Sequence, residues 1–275
     1  MDKELRFSGI AARLAGIRKI FPRRGIDYPL KNRIQYRFTY NHLANAIIAN
    51  SYATKSALLR NAPWLHENRI KVIYNGINPE KYRGSPQIDL RKELQISHSA
   101  MIVAFVGQLD ERKGIQTLLM SMKRVHESVP GAVLVLVGEG PLYEYINEYV
   151  KSPDLEDVIR MTGFRSDIPE ILKNIDLLVL PSLWEGFGLV LIEAMAASKA
   201  CITTQISSMP EIVQNGETGL IVPVNNPKEL ANAIIKMLTD KRQLKLYGEN
   251  GRQRVLKMFT LSRMIDELEQ LFRDF

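Results

Sequence analysis

From residue 100 onward, six short apolar runs recur at regular spacing: 101–106 (MIVAFV), 132–137 (AVLVLV), 158–163 (VIRMTG), 176–181 (DLLVLP), 200–204 (ACITT) and 219–224 (GLIVPV). No other feature constrains the fold as strongly. Runs of this length, rich in β-branched residues, read as strands buried on both faces. Helical periodicity fills the gaps near 114–128, 141–150, 167–174, 189–198, 209–214 and 227–239. Alternating strands and helices imply right-handed crossovers and a parallel sheet with helices on both faces. The expected fold class is therefore α/β, with one complete Rossmann-like parallel-sheet domain here. Two more helices are expected at 241–257 and 261–273. The second has an apolar stripe, Met264, Ile265, Leu268, Leu271 and Phe272, that needs a partner surface.

The first 80 residues are less regular. Strands are expected at 17–21 (IRKIF), 46–50 (AIIAN) and 71–74 (KVIY), with helices near 30–44 and 52–60. That is thin for an independent α/β domain of ~100–150 residues. The Asn75-Gly76 pair followed by Pro79 gives a turn-and-stop signal. The expected organisation is a partial domain over 1–77, a complete one over 78–258, and a helix in 259–275 that packs back on the first part.

Residues 1–40 hold ten basic and three acidic residues, while the rest of the chain holds 27 of each, so the net charge of +7 belongs to the amino-terminal segment. A basic segment suits phosphates, anionic lipid or nucleic acid. Ile10, Leu14, Ile17 and Phe21 follow helical spacing with Arg13, Arg18 and Lys19 between them. That pattern is compatible with a helix on a membrane surface and equally with an ordinary solvated helix face. Nucleic acid is not expected as a partner, because it rests on this charge alone.

No apolar run approaches the ~20 residues that span a bilayer, and charges interrupt the amino terminus where a secretory signal would need an apolar stretch. The one cysteine, Cys201, lies in an apolar run and reads as a small buried hydrophobe in a reducing compartment. His42, His66, His98 and His126 show no metal-ligand spacing, so no metal is expected.

Ligands of open α/β sheets bind at the carboxyl ends of strands. After the first strand of the regular region comes Gly107-Gln108-Leu-Asp-Glu-Arg-Lys113-Gly114. An ammonium beside free N–H groups at a helix start favours an anion between them. The next loop, Gly138-Glu-Gly-Pro-Leu-Tyr143, breaks a dinucleotide fingerprint, because Tyr143 stands where the third glycine belongs. An NAD site is therefore disfavoured. The fourth loop is Pro181-Ser-Leu-Trp-Glu185-Gly-Phe187-Gly188-Leu189-Val190, with Glu193 following. The backbone amides of Gly188, Leu189 and Val190 can face outward from a helix start, a geometry suited to phosphate. Glu193 can take a vicinal diol such as a ribose, and Glu185 a sugar hydroxyl; alone, Glu193 would be an acidic residue favoured near a helix start.

Taken together, these residues resemble the family-4 retaining glycosyltransferases of GT-B architecture. The matching pieces are Asn75-Gly-Ile, Gly107-Gln-Leu with Arg-Lys-Gly114, Gly138-Glu-Gly-Pro, Gly163-Phe, the 181–194 stretch, and Pro210-Glu-Ile with Asn-Gly-Glu-Thr-Gly-Leu220. They occur in the family's order across roughly 40–260. The resemblance implies a donor site for a UDP- or GDP-linked sugar as substrate, with no cofactor and no required metal. It implies that Gly107, Gln108 and Lys113 face the diphosphate, assisted by the amides around Phe187 and Gly188–Val190. Gly163, Phe164 and Arg165 would hold the base, Glu193 the ribose and Glu185 the donor sugar, with Lys113 and Glu185 catalytic. The acceptor would be a glycan or a lipid-linked glycan, and the setting cytoplasmic or peripheral on the inner membrane face.

Two departures accompany the resemblance. Gln108 stands where the family often has arginine, so Lys113 and Arg112 would carry more of the positive charge. Residues 1–80 resemble only the last part of the family's amino-terminal domain, and no glycine-rich loop precedes Ile17. The expectation is an amino-terminally incomplete chain whose open sheet edge self-associates or pairs with a partner chain. A donor-binding half that needs such a partner is the alternative to a self-sufficient enzyme.

Overall fold

The computed structural model describes residues 2–152 and 155–275, with the side chains of Asp2 and Lys3 left aside. Two compact units emerge: residues 1–76 with 258–275, and residues 77–257. The first part of the chain runs α1 (Asp2–Leu14), β1 (Arg23–Arg24), α2 (Ile34–Phe38), β2 (Ile47–Ala49), α3 (Tyr52–Arg60) and β3 (Ile70–Val72). The larger unit follows with α4 (Leu90–Glu93), β4 (Met101–Val106), α5 (Ile115–Ser128), β5 (Ala132–Val137), α6 (Tyr143–Val150), β6 (Ile159–Gly163) and α7 (Ile168–Asn174). It continues through β7 (Leu177–Leu180), α8 (Leu189–Ala196), β8 (Ala200–Thr204), α9 (Met209–Ile212), β9 (Gly219–Val222), α10 (Pro227–Thr239) and α11 (Lys241–Met258), before α12 (Leu261–Arg273) closes the chain.

The larger unit is the α/β layer structure expected of its apolar runs. Its sheet has six strands in the order β6-β5-β4-β7-β8-β9, and every pairing is parallel. Phe105, Leu134, Leu178 and Ile202 are fully buried, each stabilising the unit by about 1.5–3 kcal/mol. The chain builds outward from β4 to β6, then returns to pair β7 with the other side of β4, Val103 opposite Leu177 and Ala104 opposite Leu178. The carboxyl ends of β4 and β7 thus frame the topological switch point, where open parallel sheets bind ligands.

The smaller unit has a three-stranded parallel sheet in the order β1-β2-β3. Leu30, Tyr40, Ile47, Leu58 and Ile70 fill one of its cores. A second core joins Ala46, Ile48 and Ile73 to Leu271 of α12, with Phe21, Met264 and Leu268 packed against it. Phe21 also meets Phe272 with ring centroids 5.1 Å apart.

Three local expectations are corrected here. No strand forms over 17–21: Ile20 N donates to Asn45 Oδ1 at 2.9 Å and Ile20 O accepts from Asn45 N at 2.8 Å, so a side chain replaces the ladder. Strand pairing starts after Pro22, which has no N–H to give. The helical stripe from Ile10 to Phe21 is also cut short. Ile17 N donates back to Ala12 O at 2.9 Å, a Schellman-type closure that leaves Ile17 and Phe21 outside α1. The helix expected over 30–44 is shared between α2 and one π turn at Thr39–Leu43.

Candidate functional site

At the end of β4 the chain makes a 3-10 turn, Glu111–Lys113, before Gly114 opens α5. Gly114 has φ +65°, and a Cβ there would lie 2.1 Å from Pro181 O; only glycine lets the loop after β4 touch the loop after β7. The two loops are tied further. Arg112 O accepts from Leu183 N at 2.7 Å and from Trp184 N at 3.1 Å, and the Arg112 guanidinium lies 5.7 Å from the Trp184 ring. Thr204 Oγ1 donates to Ser182 O at 2.6 Å. Ser208 Oγ donates to Gly186 O at 3.2 Å and to Phe187 O at 3.0 Å.

This framework brings Lys113 and Glu185 together. Lys113 Nζ stands 2.5 Å from Glu185 Oε2, with both side chains mostly buried. Glu185 Oε2 also accepts from Ser182 Oγ at 3.4 Å and Oε1 from Gly186 N at 3.0 Å. The Phe187 side chain is buried. Gly188 is the N-cap of α8, with no side chain capping the helix. Leu189 is exposed and Val190 half-buried at the same helix start. Glu193 is half-buried one turn further on. Burial raises its carboxyl above the ordinary value, and a hydrogen bond from the Tyr82 phenol pulls it partly back.

A cavity of about 350 Å³ opens at the carboxyl ends of β4, β5 and β6, lined by Val106, Gly107, Gln108, Val137, Gly138, Glu139, Phe164, Arg165 and Ile168. The loops after β4 and β5 meet at its floor: a Cβ on Gly138 would lie 2.0 Å from Gly107 O. Phe164, exposed at the rim, donates its N–H to Glu139 Oε1 at 3.4 Å. Gly163 ends β6, and its carbonyl accepts from Gly138 N at 2.9 Å.

Two charged side chains are engaged differently from the sequence expectation. Arg165 grips Asp167 through Nε and Nη2, both at 2.8 Å, and pairs with Glu93 on its other nitrogen. Its guanidinium is a brace between acidic groups, holding Asp167 below the usual carboxylate value. Arg112 pairs with Asp110 at 2.5 Å and donates to Gln108 Oε1 at 3.3 Å, so its charge is already engaged. Lys113 is likewise paired, with Glu185. Among the described residues, no group of three or more His, Cys, Asp or Glu side chains could hold a metal ion. Nor is any described helix long and apolar enough to cross a membrane.

A family profile, glycosyl transferases group 1, matches residues 86–254. The chain belongs to that family. Its relatives include N-acetyl-alpha-D-glucosaminyl L-malate synthase of Bacillus anthracis, 29% identical over 91% of this chain and 64% of the relative. Another is UDP-Gal:alpha-D-GlcNAc-diphosphoundecaprenol alpha-1,3-galactosyltransferase of Escherichia coli, 29% identical over 96% of this chain and 71% of that protein. The chain thus spans about two thirds of the length of these relatives. HepE of Anabaena, solved in complex with UDP, matches with a TM-score of 0.90 over 100% of this chain and 77% of that one, at 23% identity. That likeness carries the fold, which is GT-B.

The motifs located the switch-point loops but missed two side chains beside them. Glu139 received no role in the sequence reading, and Tyr82 was not singled out at all. Tyr82 is one aromatic residue in a loop sequence, and no spacing distinguishes it from a packing residue.

Proposed function

We propose that this chain carries the donor-binding half of a glycosyltransferase that transfers a sugar, with retention, from a UDP- or GDP-linked donor to a glycan or lipid-linked acceptor. The observation that supports this most is the Lys113–Glu185 pair, 2.5 Å apart, at the carboxyl ends of β4 and β7. An ammonium has three N–H donors, and Glu185 occupies one. A donor diphosphate brings oxygens that compete for the same cation. Lys113 then turns toward the departing diphosphate, whose growing negative charge it stabilises, and Glu185 becomes available to a sugar hydroxyl. The uncapped N–H groups at Gly188–Val190 add a second anion-stabilising element. The cavity beside Gly107, Gln108 and Phe164 takes the base, with Arg165 acting through the backbone it braces.

Lys113→Ala is expected to cost about 2–4 kcal/mol of transition-state stabilisation, a roughly 30- to 1,000-fold loss in kcat/KM. Initial-rate kinetics with UDP- and GDP-sugars measure it, and a wild-type rate removes Lys113 from the mechanism. Glu185→Gln separates the two stages: it should tighten binding of the free nucleoside diphosphate, by removing a competitor for Lys113, while slowing transfer.

A second reading, a donor-binding chain that needs a partner chain to act, is favoured by the smaller unit, whose sheet strands are two or three residues long. Calorimetric nucleotide binding without turnover would support it. The surplus of ten basic over three acidic residues in 1–40, beside exposed Phe7 and Leu14, suits the anionic inner face of a membrane and a lipid-linked acceptor. Flotation with anionic vesicles tests that placement.

A further inference from the structure

Glu193 is the group read above as the ribose ligand, and the inference here rests on that reading. It sits on α8 among buried Leu191, Ile192, Ala194, Met195 and Ala196, surroundings that give a carboxylate little to hold it. Tyr82 approaches from outside the helix. It is 7% exposed and ends a 3-10 turn, Pro79–Tyr82. That turn has a defined shape: Asn78 Oδ1 accepts from Glu80 N at 3.1 Å, and Pro79 stands at the turn's start, where its fixed φ suits a helical turn. The turn packs against both α7 and α8, which brings the buried phenol to the Glu193 carboxylate.

A buried phenol needs a hydrogen-bond partner, and a carboxylate has about four lone-pair sites. One phenol therefore leaves room for two sugar hydroxyls. The terminal torsion of a glutamate is broad and weakly defined when nothing holds it. We propose that Tyr82 is the positioning residue of the nucleotide site: its phenol fixes the Glu193 carboxylate in the orientation that accepts the ribose 2′- and 3′-hydroxyls. Tyr82 does not touch the ligand; it acts through Glu193.

The test uses the full chain and Tyr82→Phe, which keeps the ring and removes only the hydroxyl. Calorimetry with UDP and with 2′,3′-dideoxy-UDP gives one readout, repeated with the guanosine pair. The titration of the Glu193 carboxyl, followed by carbon NMR on glutamate-labelled protein and assigned with Glu193→Gln, gives the other. The wild type should prefer the diol-bearing nucleotide by about tenfold or more, as expected for hydrogen bonds to a charged group. In Tyr82→Phe that preference should largely vanish through weaker binding of the diol form, with the dideoxy form unchanged, and Glu193 should titrate higher than in the wild type. Unchanged discrimination, or an unmoved Glu193 titration, overturns the assignment of Tyr82 alone. A wild-type chain that binds neither nucleotide pair overturns the donor-site reading and this inference with it.

Discussion

The two units are built by different means. In the larger one, strands of four to six residues form a continuous sheet whose four inner strands, β4, β5, β7 and β8, lie almost wholly buried, and apolar burial fixes the register. In the smaller one, β1 has two residues and β2 and β3 three each, and polar side chains bond to backbone where ladders would otherwise run. Asn45 accepts from Ile20 N and from Arg13. Arg69 donates to Ala44 O at 2.5 Å, and Asn50 to Gly25 O at 3.1 Å. Ser51 caps α3 by accepting from Thr54 N at 3.0 Å. A hydrophobic sheet tolerates loss of any one polar group, whereas a unit held by side-chain bridges depends on each of them.

The chain's two tryptophans separate these cases, because Trp64 lies in the smaller unit and Trp184 in the larger. Trp64→Phe and Trp184→Phe backgrounds therefore report each unit alone. The largest effect is expected from Phe105→Ala, which should lower the stability read by Trp184 by about 3–5 kcal/mol. A smaller loss, about 1–3 kcal/mol from orphaned backbone and guanidinium groups, is expected from Asn45→Ala, read by Trp64 in urea. If Asn45→Ala moves both reporters equally, the units melt together and the contrast drawn here does not govern unfolding.

The smallest effect concerns Glu193. Its folded carboxyl lies above the ordinary value because of burial, so folding disfavours the ionised form. The sign follows: stability is fully present below the unfolded value, ~4.3, and is lost as pH rises through the folded one. Glu193→Gln should therefore melt slightly higher than the wild type at neutral pH, with the gap closing on acidification below that value. Scanning calorimetry across pH decides it, and a gap that widens in acid would contradict the assignment of Glu193 as a carboxylate ionised against its surroundings.

The same contrast explains what could be read from sequence. The 101–106 run became β4 and 132–137 became β5 with the very boundaries of their apolar stretches, because burial on two faces writes itself into composition. The 17–21 run did not become a strand, because the deciding partner is Asn45, 25 residues away, and no local periodicity records a side chain that replaces a ladder. At the site, Lys113 and Glu185 could be named but not paired, since their 72-residue separation is closed only by the strand order. Arg165 was placed on the base; its capture by Glu93 and Asp167 depends on a residue from another element. Tyr82 was missed for the same reason.

The contact between Gly138 and Gly107, where a Cβ would come within 2.0 Å of a carbonyl oxygen, has a consequence for protein engineering. Any side chain at 138 forces the loops after β4 and β5 apart beneath the cavity, and one at 114 would push the loop after β4 away from Pro181. A library meant to change donor preference should leave those two positions untouched and diversify Gln108, Phe164 and Ile168, which line the cavity on backbone that accepts any side chain. The rigid glycine contacts are the chassis, and those three positions are where new specificity can be written.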